Sequence, residues 1–125
     1  MSLTQAEQLV FSHFVANGAQ DFNMVGRFWP YAELVLVIED KMRLGTRKFG
    51  FKADMACPKA ARAFLDLLLE REAFSTIKSD LGGTMHQFQT EPYRALLAEL
   101  RENDPLIAKR QPGGAEAWKA AFAEL

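Results

Sequence analysis

Lys41, Arg43, Arg47, Lys48, Lys52, Lys59 and Arg62 crowd into one short stretch, "KMRLGTRKFGFKADMACPKAAR", against a single acid, Asp54. The stretch carries a charge of +6 in a chain whose total is −1, so the rest of the chain sums to −7. The chemistry open to such a cluster is electrostatic. Cations held together attract a polyanion and release its counterions, giving an affinity that falls steeply with salt. A charge split of this kind points to an anionic partner: nucleic acid first, then a membrane surface or a phosphorylated ligand. The alternative is a solvated face whose Lys and Arg pair with acids elsewhere in the chain.

Other chemistries have little to work with. Cys57 is the only cysteine, and His13 and His86 are the only histidines. That rules out an intrachain disulfide and leaves too few soft ligands for a structural zinc site. Cys57 reads as an inert small residue, and His13, on an apolar stripe, as a hydrogen-bonded core histidine. There is no Gly-rich phosphate loop, no paired-histidine metal motif and no nucleophile elbow. His86 with Asp80 could form an acid–base pair, although a polar residue on a hairpin is the simpler reading. The expectation is a protein that is not an enzyme, with no catalytic residue, metal or cofactor.

The elements that must position the cations fit one domain spanning 1–125, because 125 residues with 49% hydrophobic content bury one core and hardly two. No apolar run approaches the roughly 18 residues a membrane span needs, and no secretory layout opens the chain. A soluble, cytoplasmic protein is expected.

Thr4 to Glu7 has capping-box spacing and Asn17-Gly18 supplies a stop, which frames a first helix. Ala6, Leu9, Val10, His13 and Phe14 share one face of it, while Phe11 and Val15 lie opposite, so it should be buried on two sides. "PYAELVLVIEDKMRLG" can be a helix or a buried strand: Leu34 to Ile38 is a continuous apolar block. Pro30 at the first helical position, Lys41 and Arg43 in the last turn and Gly45 as the stop favour helix. "TRKFGFKADM" then reads as a short basic helix and "ACP" as a break. A helix from Pro58 to about Arg71 follows, with Ala61, Phe64, Leu65 and Leu68 inward. "AFSTIKSDLGGTMHQF" reads as a hairpin turning at Gly82-Gly83. "TEPYRALLAELREND" is a helix, "QPGG" a loop, and Trp118, Phe122 and Leu125 an apolar stripe on a last helix.

Residues 46–100 resemble the DNA-binding part of the MarR (multiple antibiotic resistance regulator) family. The similarity lies in "ARAFLDLLLEREAF", like a recognition helix entering the first wing strand, and in "TEPYRALLAEL", like the helix that leaves the wing. The resemblance implies a mainly α protein with one β-hairpin (α+β), a winged helix-turn-helix with flanking terminal helices. It further implies a homodimer formed through helices at 1–20 and 115–125, double-stranded DNA as partner, and transcriptional regulation as the role. The nucleic-acid-binding residues expected are Arg47, Lys48, Lys52, Lys59, Arg62 and Lys78, with Lys59 and Arg62 nearest the base edges.

Two alternatives stand beside this. "RKFGFKAD" is similar to the aromatic strand signature of RNA-recognition motifs, with "HFVANG" as partner strand, which implies a single-strand RNA binder on a ferredoxin-like α+β sandwich. That reading requires strands at Leu9–Val15 and Leu34–Ile38. The other alternative is a small protein-interaction domain that binds no nucleic acid, with the basic side chains paired to acids of the last helices.

Overall fold

A computed structural model describes residues 2–19 and 27–125, leaving Met1 and 20–26 outside the description. The ends of the expected dimerisation segment 1–20, Met1 and Gln20, therefore lie outside the described residues. The chain is mainly helical, with a small three-stranded antiparallel sheet. In order, it forms α1 (Gln5–Asn17), β1 (Trp29–Pro30), α2 (Tyr31–Thr46), a 3-10 turn (Arg47–Phe49) and α3 (Phe51–Glu70). The hairpin β2 (Phe74–Lys78) and β3 (Thr84–Phe88) follows, then α4 (Thr90–Asn103), α5 (Pro105–Arg110) and α6 (Gly114–Ala123).

The start of α1 is fixed locally. The backbone N–H of Glu7 donates to Thr4 Oγ1 at 3.2 Å, and the Glu7 carboxylate accepts from the Thr4 N–H at 2.9 Å, satisfying two orphan donors. Leu9, Val10, Phe11, Phe14 and Val15 are all buried. Phe11 and Phe14 both meet the ring of Phe64 on α3 edge-on, at 5.9 and 5.1 Å between centroids. Burial of α1 on two sides is thus achieved within one chain. Ser12, also buried, donates to Asp104 at 2.6 Å and ties α1 to the corner between α4 and α5.

Residues 31–46 are helical, and Leu9–Val15 and Leu34–Ile38 both lie in helices. The ferredoxin-like alternative, which needed strands at both places, is overturned. Gly45 does not stop α2. The helix runs on to Thr46, whose hydroxyl donates back to the Met42 carbonyl at 2.9 Å.

The larger correction concerns α3. "ACP" is not a break: one helix runs from Phe51 to Glu70 with Pro58 inside it. An interior proline removes a backbone hydrogen bond and costs about 3 kcal/mol. An unbroken buried face offsets that cost, formed by Ala53, Ala56, Cys57, Ala60, Ala61, Phe64, Leu65 and Leu68. The break lies earlier, at Gly50, whose φ of 102° and ψ of −174° belong to a region nearly reserved for glycine. The helix pair joined by a short turn is therefore α2 and the whole of α3.

The hairpin forms in the expected place, with Phe74 opposite Phe88 and Lys78 opposite Thr84. Gly82 takes the positive φ of the turn, 95°. β1 was not foreseen. It pairs Trp29 with His86 and Pro30 with Met85, giving the sheet order β1-β3-β2. Pro30 suits an edge strand, since it has no N–H to offer the ladder.

Candidate nucleic-acid interface

The outer face of α3 is built by helical spacing alone. Lys52, Met55, Lys59, Arg62 and Asp66 recur at intervals of three and four, so they form one stripe opposite the buried alanines and leucines. Lys52, Met55, Lys59, Arg62 and Asp66 are exposed, as is Phe51 at the helix start. Cations occupy the first three turns and acids, Asp66 and Glu70, the last. Arg47 and Lys48 add two exposed charges in the turn just before α3, and Lys78 stands exposed at the end of β2.

Five of the six expected cations, Arg47, Lys48, Lys59, Arg62 and Lys78, have no ion-pair partner among the described residues. Lys48 lies against the Phe49 ring, 5.3 Å from its centroid. Lys52 is committed differently, donating to the backbone carbonyl of Leu125. Lys59 and Arg62 line a cavity of about 730 Å³ that Asp66 and Glu70 also reach. Asp66 itself accepts from the Tyr31 hydroxyl at 2.8 Å. Burial first, and that hydrogen bond second, push the Tyr31 hydroxyl up to about 12.

Of the other two bases of the stretch, Lys41 is exposed and Arg43 is used internally. It donates to Asp54 at 3.1 Å and to Glu39 at 2.8 Å, which clamps α2 to the first turn of α3 across the connecting turn. The hydrogen bond to Glu39 raises the Arg43 pKa further. The single acid of the basic stretch is thereby spent on the fold and neutralises no outward cation. Arg71 pairs with Glu99 of α4 at 3.0 Å, away from the stretch.

The aromatic strand signature has a different fate. "RKF" forms the 3-10 turn and "FKAD" opens α3. Phe49 is stacked on Phe122, centroids 4.4 Å apart and planes 5° from parallel, and His13 meets Phe49, Trp118 and Phe122 edge-on. Among the described residues no sheet presents these rings to bases. The Trp118/Phe122 stripe that motivated a homodimer through the terminal helices is likewise covered within the chain, against α1 and the turn.

His13 and His86 are both core histidines. Burial, with the nearby charge of Lys48 as a second cause, lowers His13 to about 4. His86 lies across the sheet from Thr76, whose hydroxyl is 3.0 Å from Nδ1, and not beside Asp80; burial lowers its pKa. Cys57 is buried between the Thr46 hydroxyl, at 3.7 Å, and the Ala53 carbonyl, and burial raises its pKa. Among the described residues no cluster of three or more His, Cys, Asp or Glu could hold a metal ion, and no helix is long and apolar enough to cross a membrane.

Sequence reasoning placed the cations but passed over Phe51 and Met55, which are 76% and 63% exposed on the same stripe. The signal was available. With the helix start set at Phe51, Phe51 and Met55 fall one turn apart and beside Lys52 and Lys59. Taking Pro58 as the first helical position hid that register.

The chain is a mainly helical α+β protein whose α3 presents Lys59 and Arg62 outward after the exposed Arg47 and Lys48 of the preceding turn. Set against known protein families, curated proteins and solved structures, the chain matches none.

Proposed function

We propose that this domain is a winged helix-turn-helix that binds double-stranded DNA, with α2 and α3 as the helix pair and the β2–β3 hairpin as the wing. The observation that carries the reading is the unpaired state of the outward cations on and before α3. Unpaired cations beside the exposed start of a second helix are free to neutralise a DNA backbone. The order helix, strand, helix, turn, helix, hairpin, with the first short strand added at the edge of the hairpin sheet, supports the same reading. In this arrangement the N-terminal half of α3 enters the major groove and Lys78 approaches the flanking backbone. Arg47, Lys48 and Lys59 neutralise phosphates, and Arg62 is the side chain able to make a bidentate contact to a guanine edge. A role as a small transcriptional regulator is the natural use of such a module.

Fluorescence anisotropy with random duplex DNA, single-stranded DNA and RNA of equal length, over a salt gradient, tests the reading. Duplex preference with a steep salt dependence is expected. Replacing both Lys59 and Arg62 by Ala should weaken binding and lower the magnitude of the log K against log salt slope by about 1, for the one phosphate that Lys59 no longer neutralises, while the loss of Arg62 relaxes the preference for guanine. An unchanged slope and affinity would remove the groove assignment of α3.

A further inference from the structure

Phe64, Phe74, Phe88 and Phe122 are buried and Phe49 is packed against the core, whereas Phe51 and Met55 are among the large apolar side chains left exposed, as are Leu36, Leu44, Ile77 and Leu81, and they are the two that lie on the α3 stripe. Both are large and apolar, both project from the first turns of α3, and they are 76% and 63% exposed. They border a shallow hollow of about 510 Å³ with Ala6, Ala56 and Leu125, so neither is needed to fill the core. Their neighbours on the stripe are Lys52, Lys59 and Arg62, and the turn before them carries Arg47 and Lys48. The hollow's other wall carries Thr4, Gln5 and Glu7, so the cations flank the apolar pair along α3 and the turn before it, and such a pair fits a target that is anionic along its rim and presents small apolar groups beside it.

The major groove of DNA is such a surface. Phosphates line its rims, and each thymine places a C5-methyl group on its floor; cytosine and the purines do not. In a helix-turn-helix it is the N-terminal residues of the second helix that meet the base edges, which is where Phe51 and Met55 lie. We propose that Phe51 and Met55 read thymine methyl groups, so that this domain selects duplexes by the placement of thymine. The inference rests on the DNA-binding reading above and adds to it the chemical feature of the sequence that is recognised.

The test compares alternating A·T duplex with an A·U duplex of the same length at fixed ionic strength. The two have the same phosphates and the same pairing edges and differ only in the methyl group. The wild-type protein should bind the thymine duplex more tightly, by about fourfold for each methyl buried. The double variant Phe51→Gln with Met55→Gln should lose that ratio and bind the thymine and uracil duplexes alike. Both residues are exposed, so the variant should melt where the wild type does. In a G·C duplex, 5-methylcytosine should raise wild-type affinity and leave the variant unmoved. Equal wild-type affinities for the thymine and uracil duplexes, with a steep salt slope, would overturn the methyl reading and leave the DNA-binding reading standing. A ratio that survives in the double variant would overturn the assignment to these two residues. Absence of binding to either duplex at low salt would overturn both readings together.

Discussion

Phe49 and Phe51 are the same residue type two positions apart, and they end in opposite environments. Phe49 lies flat on Phe122 at 4.4 Å and edge-on to His13 at 5.4 Å, while Phe51 is 76% exposed at the head of the basic stripe. Hydrophobicity cannot separate them, because the two side chains are identical. What separates them is Gly50, whose backbone turns the chain through a conformation that side-chain-bearing residues rarely adopt. One turn thus separates a packed aromatic cluster that holds α6 against α1 from an outward helix stripe whose tertiary contacts are the polar ones of Lys52 to Leu125 and Asp66 to Tyr31. The DNA contacts proposed above draw on that outward stripe, while the opposite face of α3 supplies Phe64, Leu65 and Leu68 to the core.

Stability measurements on the two sides break or sharpen that division. Phe122→Ala removes the ring stacked on Phe49 and edge-on to His13, and should cost about 3–5 kcal/mol in urea denaturation. Phe51→Ala, by contrast, should stay within about 0.5 kcal/mol of the wild type, since it empties no core space. Comparable losses at the two positions would dissolve the distinction.

The cluster should also exclude charge, and His13 reports on that. Its ordinary pKa of 6.5 falls to about 4 in the folded protein, chiefly through burial and then through Lys48. Between those two values the unfolded chain binds a proton that the folded chain refuses, so stability rises with pH across the window. The contribution is therefore complete above about 6.5 and is lost as the pH falls towards 4, amounting to roughly 3 kcal/mol. Urea midpoints of the wild type and of His13→Gln at pH 7 and pH 4.5 isolate this site from the carboxylates common to both. The wild type should lose more on acidification than the variant; parallel losses would mean that the cluster admits the imidazolium.

Gly50 is the hinge of the comparison. A Cβ added there would meet no atom within 4 Å, so any cost of Gly50→Ala is one of backbone conformation alone. About 1–3 kcal/mol is expected, with DNA affinity falling as well if the turn sets the direction of α3. A fully stable Ala variant would show that the chain can pass position 50 in an ordinary conformation, and the contrast between the two phenylalanines would need another cause.

What could be read beforehand follows the same line. The first helix, the hairpin and α4 were legible because Thr4 and Glu7, Gly82, and Tyr93 with Leu96 and Leu97 act through local rules of capping, turning and spacing. The helical state of 31–46 was legible from its ends, although Gly45 looked like a stop and is not one. The course of α3 was not legible: Pro58 is the strongest local signal in that region, and the opposing signal is spread over Ala53, Ala56, Cys57 and Ala60, each weak alone. β1 was hidden because two residues, one a proline, carry no alternation to detect. At the candidate interface the cations were visible from charge, while Phe51 and Met55 became visible only when the helix start fixed their phase.

A small gain is expected beside the cluster, at Gly45. It is the penultimate residue of α2, in the last turn, where alanine still favours the helix over glycine by up to about 0.5–1 kcal/mol. A Cβ there would stand 3.6 Å from the His13 ring, an ordinary van der Waals separation. It would also face a hollow of about 60 Å³ that His13, Phe14, Met42 and Gly45 help to line. Helix propensity and added packing therefore act in the same direction, and Gly45→Ala should stabilise the protein by about 0.5–1 kcal/mol in urea denaturation. The gain should be nearly independent of His13 titration above pH 6.5, where the ring is neutral in both the folded and the unfolded chain. A loss instead of a gain would mean that the cluster is packed too tightly around His13 to accept one methyl group. The division at Gly50 would then be sharper still, with a rigid interior on one side and an adaptable helix surface on the other.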